Sequence, residues 1–154
     1  MLRVGSTRTW RYHSRVAIHR EEISLRTRGE TDVVDITDRV RRILKSAGVA
    51  EGVVHVFAPG ATAGLTTIEF EPGCVQDLQE ALERVAPRRG DYHHNERWGD
   101  GNGFSHIRAA LLGPSLSVPL AGGRMLLGTW QQIVLVDFDN RSRKREIIVQ
   151  VSGE

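Results

Sequence analysis

Alternation of apolar and polar residues predicts that much of the chain is β-strand. Apolar residues alternate around Val16, Ile18, Ile23 and Leu25, which is typical of a strand with one buried face. Three later segments, 53–57, 133–136 and 147–151, are instead apolar on consecutive residues. Strands of that kind are covered on both faces, so we expect two stacked sheets and a subunit interface to provide the cover.

Helical spacing of apolar residues occurs in three segments, at 38–47, 74–86 and 105–112. Thr37 is predicted to be the N-cap of the first helix, and Gly48 stands where that helix is expected to end. The second helix is predicted to start near Pro72, because proline is tolerated in the first helical turn.

The remaining segments predict a mainly antiparallel α+β domain with about three helices. "GVVHVFAPG" and "GLTTIEFE" are predicted to pair as neighbouring strands through the turn "PGAT". Residues 1–14 are predicted to form a loose arm, and residues 15–154 a single domain. "DYHHNERWGDGNGFSH", residues 91–106, is predicted to be a long loop.

Composition limits the classes of function. The chain has 154 residues and a formal net charge of +2, and its arginines are scattered, so a nucleic-acid partner is not expected. Cys74 is the only cysteine, which excludes an intramolecular disulfide and a cysteine-based zinc site within one chain. No apolar run approaches the roughly 18 residues of a membrane span. We expect a cytoplasmic protein without a membrane partner.

Residues 91–106 carry side chains that bind metals or move protons. The candidate ligands are His93, His94, Asp91, Glu96, Asp100 and His106. Three of them could hold a divalent ion and leave a coordination position open for water or substrate. Their spacing matches no zinc signature, so solvated loop histidines are the alternative interpretation.

Two arginines near this segment are candidates for binding phosphate. Ser105 is predicted to be the N-cap of the third helix, whose backbone N–H groups would face an anion, with Arg108 one turn further on. Arg97 lies upstream of this helix. A plain capped helix is the alternative interpretation.

Three further residues carry possible chemistry. Glu69 follows a hydroxyl-rich strand and is interpreted as a base, a metal ligand or a solvent-facing carboxylate. Trp130 is either a packing residue or a surface on which a ring stacks. Gln131 precedes a very apolar strand and lies at a sheet edge or faces a pocket.

Three stretches together resemble one family. "SLSVPLAGGRMLLGTWQQIVLVDF" has a serine, a proline four residues later, a glycine-containing turn and G-x-W-Q leading into an apolar strand. "HVFAPGATAGLTTIE" and "DGNGFSHIRAALLGPS" resemble two further motifs of that family, in the same order. This is the YjbQ-like family, also described as secondary thiamine-phosphate synthase.

The resemblance implies an α+β fold with a β-sandwich-like core, a homotrimer, and a reaction that joins a pyrimidine pyrophosphate to a thiazole phosphate. The implied catalytic residues are His106, Glu69 and Gln131. The implied substrate-binding residues are Thr62, Arg97, Asn102, Ser105, Arg108 and Trp130. The metal candidates, for Zn²⁺ or Mg²⁺, are His106, His94, His93 and Asp100.

Two departures from the family pattern affect these expectations. Gly60 and Phe104 stand where the family commonly has polar groups, and His93 or His94 is the candidate replacement. We expect one of these two histidines to share a polar pocket with His106, Glu69 and Gln131. The alternative function is a non-catalytic trimer that binds a phosphorylated metabolite.

Overall fold

A computed structural model describes residues 16–154, which form eight strands and four helices. The strands are β1 (Ala17–Thr27), β2 (Asp32–Asp35), β3 (Gly52–Phe57), β4 (Ala63–Ile68), β5 (Ser115–Ala121), β6 (Arg124–Met125), β7 (Gln132–Asp137) and β8 (Arg143–Gly153). The helices are α1 (Thr37–Ala47), α2 (Pro72–Val85), α3 (His93–Trp98) and α4 (Gly103–Leu112). The predicted arm, residues 1–14, lies outside the described residues.

The strands form two antiparallel sheets, which confirms the predicted α+β class. The larger sheet has the order β1-β8-β3-β5-β6 and the smaller has the order β2-β7-β4. The predicted pairing of β3 with β4 is wrong, because the connection between them passes from one sheet to the other. At its start Ala58 N donates to Pro114 O, whereas at its end Thr62 O accepts from Phe138 N.

The two faces of β7 belong to two different cores. On one face, Ile133 and Leu135 pack with the larger sheet and α1. On the other face, Val134, Val136 and Phe138 pack with α2 and α4. The two-sided burial predicted for residues 133–136 is therefore confirmed.

The outer face of the larger sheet is less well covered. Val54 and Val56 of β3 are fully buried, but the alternating Val53 and Phe57 are 37% and 36% exposed. Ile18 of β1 is 67% exposed. The described part of the chain therefore covers β7 on both faces but β3 on only one.

The first helix begins one residue earlier than a Thr37 cap would require. Ile36 is the N-cap, and Thr37 makes no cap hydrogen bond. Instead, the Thr37 hydroxyl donates to Asp35 Oδ1 at 2.6 Å and accepts from Ile133 N at 2.8 Å, which ties α1 to β7. Gly48 ends the helix in a left-handed conformation, as predicted.

The segment predicted as a long loop contains α3 and the beginning of α4. Residues 16–154 therefore have four helices rather than the three predicted. The six residues of α3 carry no buried side chain, which explains why apolar periodicity does not reveal the helix. No helix within residues 16–154 has the length and apolar character needed to cross a bilayer.

Candidate functional site

The predicted site residues fall at two opposite ends of the smaller sheet. Thr62 precedes β4 and Glu69 follows it, so they lie about 20 Å apart at the rise of an extended chain. Because β7 runs antiparallel to β4, Gln131 lies at the Glu69 end and Asp137 at the Thr62 end. One chain therefore cannot place Glu69 and Gln131 in a pocket with groups at the Thr62 end.

The Thr62 end of the smaller sheet carries a histidine cluster, which we define as His94, Asp100, Asn102 and His106. The two imidazole ring centroids are 4.3 Å apart, and the ring planes are tilted by 50°. His94 Nε2 lies 3.4 Å from Asp100 Oδ2. Asn102 is only 7% exposed, and its amide satisfies its surroundings when Nδ2 faces Asp100 Oδ1 at 3.1 Å and His94 Nε2 at 3.3 Å.

The two contacts of His94 Nε2 belong to two different protonation states of that nitrogen. With a hydrogen, Nε2 donates to Asp100; with a lone pair, it accepts from Asn102. The surroundings therefore offer a partner to both states.

Local packing fixes the two segments that carry His94 and His106 relative to each other. Gly103 N donates to Asn95 Oδ1 at 2.8 Å, which joins α3 to the start of α4. A Cβ at Gly103 would lie 2.5 Å from Tyr92 Cβ, so only glycine allows this approach. Ser105 Oγ donates to Phe138 O at 2.6 Å and fixes α4 at the Asp137 end of β7.

The predicted three-ligand metal site does not form in the single chain as it stands. The His93 side chain is fully exposed and lies 3.3 Å from Glu96, away from His106. His94, not His93, is the histidine that turns toward His106. Among residues 16–154, no group of three or more His, Cys, Asp or Glu is arranged to hold a metal ion.

The predicted phosphate seat at Ser105 and Arg108 is also wrong in its geometry. The helix begins at Gly103, so Ser105 lies inside it and is buried. Arg108 is 1% exposed, and its guanidinium donates to Ala86 O, Thr31 Oγ1 and Glu83 Oε2. Arg108 is therefore committed to the protein interior.

Neighbours of Arg108 support the same interpretation. The Phe104 ring, 2% exposed, lies with its centroid 5.0 Å from the Arg108 guanidinium carbon, so position 104 is a packing position here. Burial raises the pKa of Glu83, but hydrogen bonds from Arg88 N–H and from Arg108 outweigh burial and hold that pKa below its usual value. Arg97 is exposed and lies 5.5 Å from the Trp98 ring centroid.

Thr62 belongs to a polar network that pattern analysis did not identify. Its hydroxyl donates to Asp139 Oδ2 at 3.2 Å and accepts from Arg145 Nη2 at 2.8 Å. Arg145 also forms a bidentate pair with the fully buried Asp137, with both bonds at 2.7 Å. Arg143 donates to Asp139 at 2.6 Å.

The Asp139 carboxyl is held in its charged form by this network. Burial raises its pKa, but the hydrogen bond and charge of Arg143, with smaller contributions from Asn140 N–H and Thr62, lower it below the usual aspartate value. The sequence signal for the network is the pair of alternating acids in "DFD" followed by alternating arginines in "RKR".

The Glu69 end of the smaller sheet carries Glu69, Trp130 and Gln131. Glu69 and Trp130 line one cavity of about 390 Å³, and Trp130 is 70% exposed, so its ring is available rather than packed in the core. Gln131 lines a different cavity of about 360 Å³. It donates to Thr67 Oγ1 at 3.0 Å and accepts from Gly128 N at 3.0 Å.

Comparison with known proteins places this arrangement in a family. The model of the UPF0047 protein YjbQ-like family matches residues 21–154. The chain belongs to this family. A UPF0047 protein of Methanothermobacter thermautotrophicus is 37% identical over 89% of this chain and 94% of its own length. A UPF0047 protein of Archaeoglobus fulgidus is 36% identical over 82% of this chain and 97% of its own.

Solved structures show the same fold. A YbjQ-like protein of unknown function from Sulfolobus solfataricus superposes with a TM-score of 0.87 at 29% identity, covering 91% of this chain and all of its own. An uncharacterized conserved protein of the YjbQ/UPF0047 family from Clostridium acetobutylicum gives a TM-score of 0.78 at 36% identity, covering 85% and 98%. These similarities establish the family and the fold of the chain.

Proposed function

We propose that this YjbQ-like chain is a small-molecule enzyme that acts on a phosphorylated substrate at the histidine cluster. The observation that carries the proposal is the convergence of His94 and His106, with ring centroids 4.3 Å apart, beside Asp100 and the buried Asn102. A buried amide and a carboxylate that orient an imidazole are what proton transfer or anion stabilisation requires.

The reaction we propose is the one implied by the family resemblance, the joining of a pyrimidine pyrophosphate to a thiazole phosphate. The thiazole nitrogen forms a bond to the pyrimidine methylene carbon while the bond from that carbon to the diphosphate oxygen breaks. The diphosphate leaves with the electron pair. Negative charge therefore develops on the leaving group, and protonated His94 and His106 would donate hydrogen bonds to it.

Asp100 and Asn102 position His94 in this scheme. Asp100 accepts from Nε2 when that nitrogen carries a hydrogen, and Asn102 donates to it when it carries a lone pair, so the imidazole keeps its place in either form. Binding of a divalent metal at this cluster is a separate proposal. Within residues 16–154, His94, His106 and Asp100 are not arranged as three ligands of one metal ion, so we assign no step of the reaction to a metal.

We also propose that the chain assembles as a homotrimer. The exposed apolar residues on the outer face of the larger sheet, Ile18, Val53 and Phe57, support a second copy as their cover. Assembly would further allow Glu69 and Trp130 of one copy to approach the histidine cluster of another, which they cannot do within one chain.

The alternative is a trimer that binds a phosphorylated metabolite without turning it over. Gly60 and Phe104 favour it, because the first lacks a functional side chain and the second is packed under Arg108. The two functions differ in whether product forms, not in whether ligand binds.

The test is the rate of product formation by the wild type and three single variants. His94→Asn and His106→Asn should each lower the rate about 100-fold or more, within the range expected for a catalytic proton-transfer group. His93→Asn is the matched control, since this neighbouring histidine is fully exposed, and it should retain the wild-type rate. Product from all variants at equal rates would rule out the cluster as the reaction site. Ligand binding without product would establish the alternative.

A further inference from the structure

Phosphate binding was expected at Arg97 and Arg108, but Arg108 is buried and each of its three guanidinium nitrogens already donates to the protein. Two other arginines, Arg143 and Arg145, are held rigidly beside the polar network at the end of β7. Arg145 is fixed by its bidentate pair with Asp137 and by its bond to Thr62. Arg143 is fixed by its bond from Nε to Asp139.

Both guanidinium groups keep uncommitted donors. Within residues 16–154, Arg145 Nη1 and both terminal nitrogens of Arg143 make no hydrogen bond to the protein. The Arg145 side chain is 11% exposed and that of Arg143 is 33% exposed. Solvent therefore reaches a small set of N–H groups whose positions are already set by buried carboxylates.

Gly60 keeps this edge open. A Cβ at position 60 would lie 3.7 Å from Arg145 Nη1, and it would have no other neighbour within 4 Å. Any larger side chain at this position would start next to the free nitrogen. The glycine leaves space for a ligand beside this nitrogen.

We infer that Arg143 and Arg145, beside Gly60, form the subsite for the phosphate or diphosphate group of the substrate. This inference rests on the proposed function, whose substrate is phosphorylated. Guanidinium groups match phosphate oxygens in geometry, and their bonds to an anion are charge-assisted. Because Asp137 and Asp139 already orient both groups, little side-chain freedom remains to be lost on binding.

The segment that carries the subsite is hydrogen-bonded to the segment that carries the histidine cluster. Asn140, in the turn after β7, donates from Nδ2 to Asp100 O at 2.7 Å. Ser105, next to His106, is bonded to Phe138 O. The turn that carries the acids and the segment that carries the histidines are thus bonded together at the same end of the smaller sheet.

The net charge of the network shapes its expected ligand. The two arginines are each paired with a buried aspartate, so the network as a whole is neutral. Affinity must then come from directed hydrogen bonds rather than from general positive charge. A ligand with several acceptor oxygens, such as inorganic pyrophosphate, should bind better than a singly charged anion.

The experiment is titration of the protein with inorganic pyrophosphate, followed by calorimetry and by phosphorus NMR. Arg143→Gln removes the exposed donor fork, while Asp139 keeps its bonds from Thr62 and Asn140, so the protein should stay folded. We expect pyrophosphate affinity to fall about 10-fold to 100-fold, as for loss of one or two charge-assisted bonds. Arg143→Lys keeps the charge without the fork and should lose nearly as much.

Arg42→Gln is the matched control, because Arg42 is exposed on α1 and its side chain makes no hydrogen bond to the described residues. It should bind pyrophosphate as the wild type does. Equal affinity in Arg143→Gln and the wild type, or no binding by the wild type, would overturn the inference. Failure of the proposed function gives a different result. If pyrophosphate binding depends on Arg143 but no product forms, the subsite is supported and the proposed enzymatic activity is contradicted.

Discussion

Replacement of Arg108 by alanine should destabilise the protein strongly, and the size of the effect follows from its contacts. The side chain is 1% exposed and donates to Ala86 O, Thr31 Oγ1 and Glu83 Oε2. In the variant, the buried Ala86 carbonyl and Thr31 hydroxyl each lose a hydrogen-bond partner, which lowers the free energy of unfolding by about 1–3 kcal/mol each. Glu83 is 49% exposed and can be hydrated again, so it adds little. We expect the free energy of unfolding to fall by about 2–6 kcal/mol.

Thermal unfolding followed by circular dichroism measures this loss. At about 2–4 °C per kcal/mol for a chain of this size, Tm should fall by about 4–24 °C. Arg97→Ala is the control, because Arg97 is exposed and lies beside only the Trp98 ring, and its Tm should change by no more than about 2 °C. An Arg108→Ala protein that melts with the wild type would refute the assignment of Arg108 to the interior.

Three further predictions concern packing, acid stability and assembly. Gly64→Ala should cost about 1–3 kcal/mol in chemical denaturation, because its Cβ would lie 2.9 Å from Gly113 O, whereas Gly128→Ala, with neighbours no nearer than 3.7 Å, should cost clearly less. The pKa of Asp139 is lowered in the folded protein, so its stabilisation is present above the usual aspartate pKa and is lost as pH falls through the folded value. Arg143→Gln should raise that folded pKa and move the acid-unfolding midpoint to higher pH; an unchanged midpoint would contradict the pairing. Light scattering at micromolar concentration should give three times the 17.2 kDa chain mass, and a monomer would contradict the trimer.

Periodicity predicted the elements well because their burial follows the pattern. β1 alternates buried and exposed residues from Ile23 onward, and β7 is apolar on both faces because a core lies on each side. The pairing of β3 was not predictable in this way. Short connections usually join paired strands, yet residues 58–62 connect different sheets, and only long-range contacts decide that.

The candidate site was predicted in part. The motif around His106 indicated a polar cluster, and His94 was one of the two histidines considered. The exposure of Arg108 was misjudged because helical position gives no information on a buried partner such as Thr31. The pairing of Asp137 with Arg145 was not predicted, because it depends on the approach of β7 to β8, which sequence spacing does not show.

The most direct test of the central claim is a phosphorus NMR time course with the pyrimidine pyrophosphate and the thiazole phosphate present together. If the histidine cluster is a reaction site, the wild type should release free pyrophosphate as the substrate signals decline. The His94→Asn/His106→Asn double variant should leave those signals unchanged over the same period. Substrate signals that shift or broaden on binding to the wild type, with no free pyrophosphate formed, would contradict the claim that this chain carries out the reaction.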